Sequence, residues 1–347
     1  MKKLGSLSRR DFALLSANMA VASFAGGKML GMRPAFAADD KAVLGHFGSA
    51  NPQTFAKATG SFQKAFGDKE KVDFLTVSSG AQVISAMAGN SLDVCNLGSS
   101  PMVVGFCNGL KISMVYVEKI ITDSECLAVR NDSGIASVKD LKGKSIALPF
   151  NTSVHFSMLA ALKTAGLKVT DVKLINMKPD TITATWRRKE IDAAFIWHPI
   201  LGELVSQDGK IIFTTGDLKP YGTLVFDGII VRNEFKEKRP DLVLAYLKEY
   251  DRMCTLYRDK PDEVAAILSP YLSLAPDKTM EYLKTFYSVP PKELATDTWM
   301  GLPGAKDTGV LKTLRDQAEF LKEADQVKTI PDSFAPFVDS SFLAKMV

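Results

Sequence analysis

Short apolar runs alternate with segments of helical periodicity from residue 38 onward, and this alternation constrains the fold more than any other feature. It occurs in two sets. In the first, apolar runs at 43–44, 72–77, 94–97 and 112–117 flank helical patterns at 53–66, 81–88 and 101–107. In the second, runs at 144–148, 172–176 and 193–196 flank helical patterns at 152–165 and 181–189. Strands separated by helices form mostly parallel sheets, so the sequence predicts an α/β fold with two similar lobes.

Two further apolar runs, at 125–130 and 227–232, are placed to cross between these lobes. A few residues at strand ends can absorb the backbone changes of domain closure, so the pair is predicted to form a two-strand hinge. The predicted lobes are then residues 38–126 with 232–347, and residues 127–231. Amphipathic helices are expected to pack on the first lobe at 241–257, 261–268, 277–286 and 310–324.

The first 37 residues differ from the rest: Arg9-Arg10 is followed by a weakly apolar run and by small residues up to Ala37. This order is typical of a signal peptide, here of the twin-arginine type, cleaved after Ala37. A membrane anchor is the alternative, but Gly26-Gly27-Lys28 leaves the run short of the ~20 apolar residues that a span needs. Without this segment the net charge falls from +4 to −1, since it carries six cations and one acid. That balance does not support nucleic-acid binding.

The four cysteines and three histidines are the residues that would mark a metal or redox site. Four cysteines allow three disulfide pairings, but none of them forms a CxxC motif. The histidines show no recognisable zinc spacing. The sequence therefore predicts no metal, no cofactor and no catalytic cluster, and it favours buried unpaired thiols at Cys95, Cys107, Cys126 and Cys254.

Two polar segments follow predicted strands at matching places in the two lobes. Gly98-Ser99-Ser100-Pro101 follows the run at 94–97, and Asn151-Thr152-Ser153 follows the run at 144–148 and opens a helix that carries His155. Ligands of α/β sheets settle beyond the carboxyl ends of the strands, where helix N-termini favour anions. We expect Ser99, Ser100, Asn151, Thr152, Ser153 and His155 to bind an anionic group that bridges the lobes. The alternative is that these residues only cap helices or lie at the cleft edge.

A ligand that also carries an ammonium group needs an anion on the protein. Asp227 begins the returning hinge run and is the first candidate, and Glu125 beside the outgoing run is the second. Each acid alternatively caps a helix or pairs with a nearby cation, and such a pairing would reverse the argument for an amine. Trp197, at the end of a predicted strand, is expected to cover the short carbon chain of the ligand or to belong to the core.

An ordered series of motifs resembles one family. The motifs are Gly80-Ala81-Gln82-Val83, Asn96-Leu97-Gly98-Ser99-Ser100-Pro101, Asp140-Leu141-Lys142-Gly143-Lys144, Ile191-Asp192-Ala193-Ala194-Phe195-Ile196-Trp197 and Phe226-Asp227. They are similar to the taurine-binding proteins of ABC importers, within the nitrate/sulfonate/taurine group. The resemblance is strongest between residues 78 and 232. The chain departs from the family pattern at Phe47, where the family carries a glutamine, and in the stretch after Asn151.

The resemblance implies a type II periplasmic binding protein, monomeric and without catalytic activity, that captures taurine or a related alkyl sulfonate. Its implied partners are an ABC permease and the ATPase of that permease. Phe47 in place of glutamine is expected to reshape the pocket, so another sulfonate, nitrate or a thiamine pyrimidine precursor stays open as the ligand. An enzyme resembling the pyrimidine synthases of thiamine biosynthesis is the alternative from another class.

Overall fold

The computed structural model describes residues 41–221 and 223–347, so the predicted signal peptide lies outside the described residues. Within these ranges ten strands form two sheets of five. The strands are β1 Lys41–His46, β2 Lys71–Thr76, β3 Val94–Gly98, β4 Ile112–Ile120, β5 Glu125–Arg130, β6 Ser145–Leu148, β7 Lys173–Asn176, β8 Ala193–Trp197, β9 Gly209–Thr214 and β10 Phe226–Arg232.

Thirteen α-helices connect and cover the sheets in the described part of the chain. They are α1 Pro52–Thr59, α2 Ser61–Phe66, α3 Gly80–Ala88, α4 Ser99–Cys107, α5 Ser153–Thr164, α6 Pro179–Arg187, α7 Ile200–Ser206, α8 Asn233–Lys238, α9 Pro240–Asp259, α10 Pro261–Leu272, α11 Pro276–Leu283, α12 Pro291–Leu294 and α13 Gly309–Glu323. Short 3-10 segments lie at Asn131–Ser133, Val138–Leu141, Val169–Asp171, Thr215–Tyr221 and Leu343–Lys345. Within these residues no helix is both long and apolar enough to cross a membrane.

The two sheets have the same arrangement. The first has the order β2-β1-β3-β10-β4, and the second has the order β7-β6-β8-β5-β9. In each sheet the first three strands of that order are parallel to one another, and the fourth strand is antiparallel to the third. The fourth strand is β10 in the first sheet and β5 in the second. This repetition agrees with the two similar lobes that the sequence predicts.

The crossing strands differ from the prediction in one respect. β5 lies wholly in the second sheet and β10 lies wholly in the first, so the chain passes between lobes just before each of them. The second sheet is therefore built from residues 125–214, and residues 226–231 belong with the first lobe rather than the second. β10 belongs to the first sheet because its backbone groups form hydrogen bonds with both β3 and β4.

Two further details escaped the sequence analysis. The helical pattern at 53–66 is divided at Gly60, whose φ of 64° is the left-handed conformation that ends α1. β9 completes the second sheet, although only Gly209 of its six residues is fully buried.

The C-terminal helices share one core with the first sheet, as predicted. Residues of α9, α10 and α13 are buried in the same cluster as β1, β3, β4 and β10. The second lobe has two smaller clusters, one on each face of its sheet. All four cysteines are unpaired, and Cys95, Cys126 and Cys254 are buried. The first lobe is thus the larger body, and both sheets present their strand ends to one cleft.

Candidate functional site

A cleft of about 820 Å³, counting the part open to solvent, lies between the lobes. Its walls come from the carboxyl ends of strands in both sheets and from the end of α11. The lining residues are Phe47, Ser49, Ala50, Asn51, Gly80, Asn96, Leu97, Gly98, Pro101, Lys119, Ser124, Glu125, Thr152, Ser153, Trp197, His198, Asp227, Tyr282, Thr285 and Phe286. The cleft therefore occupies the place where α/β sheets bind ligands.

Four helices begin at the cleft wall. Asn51 caps α1, Gly80 begins α3, Gly98 caps α4, and Thr152 with Ser153 begins α5. The caps of α4 and α5 make no side-chain hydrogen bond to the first-turn amides, so these amides are left to other acceptors. Helix N-termini carry a partial positive charge, and this wall favours an anionic group.

The floor of the cleft carries an ion pair from the first lobe. Asp227 of β10 lies opposite Lys119 of β4 in the strand register, and Lys119 Nζ is 3.4 Å from Asp227 Oδ2. Burial raises the pKa of Asp227, although Lys119 opposes that shift. Burial alone would lower the pKa of Lys119, but Asp227, Glu118 and Glu125 together raise it. The lysine is thus held in its charged form by carboxyl groups.

Glu125 of β5 supplies a carboxyl group from the second lobe. Its Oε1 accepts a hydrogen bond from the Ser153 hydroxyl, and its Oε2 is buried without a hydrogen-bond partner. Burial, with a contribution from Asp227, raises the pKa of Glu125 to about 8. The hydroxyls of Ser153 and Thr215 and the charge of Lys119 only moderate this shift.

A third acid lies beneath the floor. Glu118 precedes Lys119 on β4 and is 1% exposed, and neither of its oxygens has a partner at hydrogen-bonding geometry. Burial and then Asp227 raise its pKa to about 8. We call Glu118, Lys119, Glu125 and Asp227 the carboxyl cluster. It places three acids around one lysine.

Aromatic rings from opposite lobes close the cleft on its sides. Phe47 and Trp197 meet edge to face, with ring centroids 6.5 Å apart and planes at 89°. His198 lies 4.2 Å from Tyr282 between ring centroids, and burial lowers its pKa to about 4, so it is neutral at neutral pH. Gly202 permits this contact, because a Cβ there would lie 2.6 Å from the Tyr282 hydroxyl. These contacts join the lobes around the ligand space.

Six of the residues predicted for the site line the cleft: Phe47, Glu125, Thr152, Ser153, Trp197 and Asp227. Four do not: Ser99, Ser100, Asn151 and His155. At a helix start the side chains and the backbone amides point in different directions. A helix can therefore direct its amides at the cleft while its side chains lie elsewhere.

The four residues away from the cleft have other surroundings. Ser99 Oγ accepts from Gln317 Nε2 at 2.9 Å inside the first lobe, and Ser100 is buried beside it in sequence. Asn151 is exposed with a φ of 57°. His155 stacks on Phe150 with ring centroids 4.3 Å apart, and burial lowers its pKa to about 4.

Several lining residues were not found from the sequence. Lys119 had a signal, since it is a cation near the end of a strand that is mostly apolar. Tyr282, Thr285 and Phe286 had none, because they reach the cleft only through the packing of α11 on the first lobe. Ser124 and His198 also line the cleft, and Ser124 Oγ and His198 Nδ1 are buried without partners.

Comparison with known proteins places this geometry among solute receptors. The family described as NMT1-like matches residues 44–269. The taurine-binding periplasmic protein of Escherichia coli K12 is 31% identical over 304 residues, which cover 85% of this chain and 90% of that protein.

Solved structures show the same fold. The alkanesulfonate-binding protein SsuA from Xanthomonas axonopodis pv. citri, bound to MOPS, aligns with a TM-score of 0.76 at 18% identity, over 86% of this chain and 98% of that one. The predicted fold class is confirmed. The desulfurization enzyme DszB also aligns, with a TM-score of 0.61 at 16% identity, over 88% of this chain and 98% of that one. The fold alone therefore does not separate receptors from enzymes.

Proposed function

Because this chain belongs to the NMT1-like family, we propose that it is the extracytoplasmic solute-binding component of an ABC importer. It captures taurine or a related alkyl sulfonate by closing its two lobes. The relative at 31% identity is named as a taurine-binding periplasmic protein, and the aligned SsuA structure is named for alkanesulfonates. The periplasm, a membrane permease and its ATPase are the corresponding location and partners.

The observation that carries this proposal is the bipolar character of the cleft. Helix starts at Gly98 and Ser153 favour a sulfonate, and the carboxyl cluster favours an ammonium group. Each helix terminus contributes about 0.3–1 kcal/mol. Each hydrogen bond to a charged group contributes roughly 1.5–3 kcal/mol. Several of these together reach the about −8 kcal/mol of a micromolar complex even after the cost of closure.

Asp227 alone does not argue for an amine-bearing ligand. Its carboxylate is paired with Lys119, and a paired acid neither requires a cation nor repels an anion. The wider cluster restores the argument, because Asp227, Glu125 and Glu118 together outnumber Lys119. An ammonium group would supply the positive charge that allows one more of these acids to ionise.

The cysteines support binding rather than catalysis. None of the four, all of which lie in the described ranges, lines the cleft. Burial raises the pKa of Cys95, Cys107, Cys126 and Cys254. A thiol with a raised pKa is a poor nucleophile.

A thermal-shift panel tests the proposal. The chain without residues 1–37 is heated with taurine, propane-1-sulfonate, nitrate or a thiamine pyrimidine precursor, in a buffer that contains no sulfonate. A ligand of the native state at 100 times its Kd stabilises by about 2.7 kcal/mol. Taurine is expected to raise the melting temperature most. A rise with nitrate or the precursor alone would make that compound the ligand instead of taurine. No rise with any compound would contradict the receptor role.

A second measurement separates binding from reaction. Taurine incubated with the protein is followed by proton NMR, and its signals are expected to keep their intensity apart from binding. Their replacement by product signals would contradict a non-catalytic receptor.

A further inference from the structure

The carboxyl cluster holds more acid than its surroundings neutralise. Three carboxyl groups surround Lys119: those of Glu118 and Glu125 are buried, and that of Asp227 is 14% exposed. Within residues 41–221 and 223–347, Lys119 is the one cation that forms an ion pair with any of them. An isolated buried carboxylate is strongly disfavoured, so the acids that lack a cation hold protons instead.

Glu125 is the excess acid that a ligand reaches first. It lines the cleft, and its Oε2 has no hydrogen-bond partner. Asp227 also lines the cleft, but Lys119 already compensates its charge. Glu118 lies beneath the floor and is absent from the cleft wall. The unpartnered oxygen of Glu125 is therefore the acceptor available to a ligand ammonium group.

We propose that Glu125 is a neutral carboxylic acid in the empty receptor and loses its proton when an ammonium-bearing sulfonate enters. The O–H bond of the acid breaks, the proton passes to bulk water, and an N–H···O hydrogen bond forms between the ligand ammonium and the carboxylate. No covalent bond of the ligand changes. This inference rests on the proposed function and adds that one proton is exchanged for each aminoalkyl sulfonate captured.

The groups that face Glu125 agree with this exchange. They are Lys119 on β4, Asp227 on β10, Ser153 at the start of α5, Thr215 after β9, Cys126 beside it on β5, and His198 after β8. Asp227 disfavours the ionised form of Glu125, while Lys119 and the hydroxyls favour it. Neutral His198 adds no charge. Burial prevails and raises the pKa of Glu125 to about 8.

The exchange predicts opposite pH trends for two classes of ligand. An ammonium group favours ionised Glu125, so taurine affinity rises by up to tenfold per pH unit below about pH 8 and then levels off. An amine-free sulfonate meets a neutral acid below pH 8 and a repelling carboxylate above it, so its affinity is flat and then falls. The same residue therefore discriminates between the two classes.

Calorimetry measures the proton directly. Taurine and propane-1-sulfonate, which has a methyl group in place of the ammonium, are titrated at pH 7 in phosphate, imidazole and Tris, which contain no sulfonate. The slope of binding enthalpy against buffer ionisation enthalpy gives the protons released. We expect close to one for taurine and close to zero for propane-1-sulfonate. Equal numbers for the two ligands would overturn the inference and leave the receptor role intact, whereas no heat with taurine would overturn the proposed ligand as well.

Two matched variants assign the proton to a residue. Glu125→Gln is expected to abolish proton release, to flatten the pH profile and to weaken taurine at least tenfold, with propane-1-sulfonate little changed. Glu118→Gln, the same change one layer deeper, is expected to keep the release. The reverse result would overturn the assignment to Glu125. If Glu125→Gln melts at room temperature, the two-ligand comparison on the unsubstituted protein decides the inference without it.

Discussion

Each lobe places one carboxyl group at an equivalent position of its sheet, but the two acids have different neighbours. β10 enters the first sheet between β3 and β4, and β5 enters the second between β8 and β9. Asp227 is the second residue of β10, and Glu125 is the first of β5. The strand on the far side has Lys119 as its next-to-last residue in the first lobe, whereas in the second it ends with Thr214 and is followed by Thr215.

That single difference between neighbouring strands sets the charge of each acid. A lysine opposite Asp227 supplies an ion pair, whereas Glu125 accepts only a hydrogen bond, from the Ser153 hydroxyl. Buried carboxyl groups ionise when a cation is close and otherwise retain a proton. The comparison teaches that topology positions the two acids, while the adjacent strand decides their protonation.

The largest expected effect comes from removing the paired acid. Asp227→Ala leaves Lys119 buried without its partner, and losing one member of a buried charge pair costs about 2–5 kcal/mol. Lys119 is then left facing Glu125 and the ligand ammonium without Asp227 to compensate it, so taurine affinity is expected to fall at least 30-fold in calorimetry, with the fold kept by circular dichroism. Asp227→Asn, which preserves shape, serves as the control for lost volume. Unchanged taurine affinity in both variants would show that Asp227 does not contribute to ligand binding.

Removing the lysine would make the two lobes alike. Lys119→Met leaves Asp227 without a paired cation, as Glu125 already is. Asp227 should therefore also hold a proton in the empty protein. The single ammonium group of taurine can then compensate either acid, so proton release should survive the loss of Glu125. The double variant Lys119→Met with Glu125→Gln is expected to release close to one proton with taurine at pH 7, measured by calorimetry in several buffers, where Glu125→Gln alone releases none. No release from the double variant would show that Lys119 does not set the charge of Asp227.

A smaller effect is expected where the lobes touch. A Cβ at Gly98 would lie 3.2 Å from Ser153 Cβ in the opposite lobe, which is tighter than ordinary contact. Gly98→Ala should oppose closure and weaken every sulfonate about tenfold, or ~1.4 kcal/mol, in calorimetry. Gly105→Ala, inside the helix that Gly98 caps and with its nearest contact at 3.5 Å, is the matched control and should leave affinity unchanged. Equal affinities for the two variants would contradict the closed contact.

The smallest effect on affinity is expected from the serines that face the core. Ser99→Ala removes one of the two acceptors of Gln317 Nε2 and should destabilise the fold by about 1–3 kcal/mol while leaving taurine affinity unchanged. Ser153→Ala, at the equivalent helix start of the second lobe, removes the donor to Glu125 and should weaken taurine. Melting curves and calorimetry on both variants separate the two roles. Weaker sulfonate binding by Ser99→Ala with an unchanged melting temperature would contradict this placement.

These two serines also show how far the sequence leads. The order of strands and helix starts is encoded locally, so the two-lobed fold and the turns at Gly98 and Thr152 were predictable. Which side chain of a turn faces the cleft depends on how the helix is rotated against its sheet, and that rotation is set by tertiary packing. Ser99 therefore turned toward Gln317, while Ser153 turned toward Glu125.

The carboxyl cluster was predictable only in part for the same reason. Asp227 and Glu125 begin recognisable strands and were identified as candidates. Lys119 is 108 positions before Asp227 in sequence and meets it only through the antiparallel register of β4 and β10. A pairing across that separation leaves no periodic signal in the chain.

The insertion of β10 between β3 and β4 also sets an order of assembly during synthesis. All five strands of the second sheet come from the continuous segment 125–214, so that sheet has its full set of strands before residue 226 leaves the ribosome. The first sheet, although it begins the described chain, waits for β10 and has until then a gap between β3 and β4. The lobe that is started first is thus finished last, and the nascent chain acquires a ligand cleft only when its returning strand arrives.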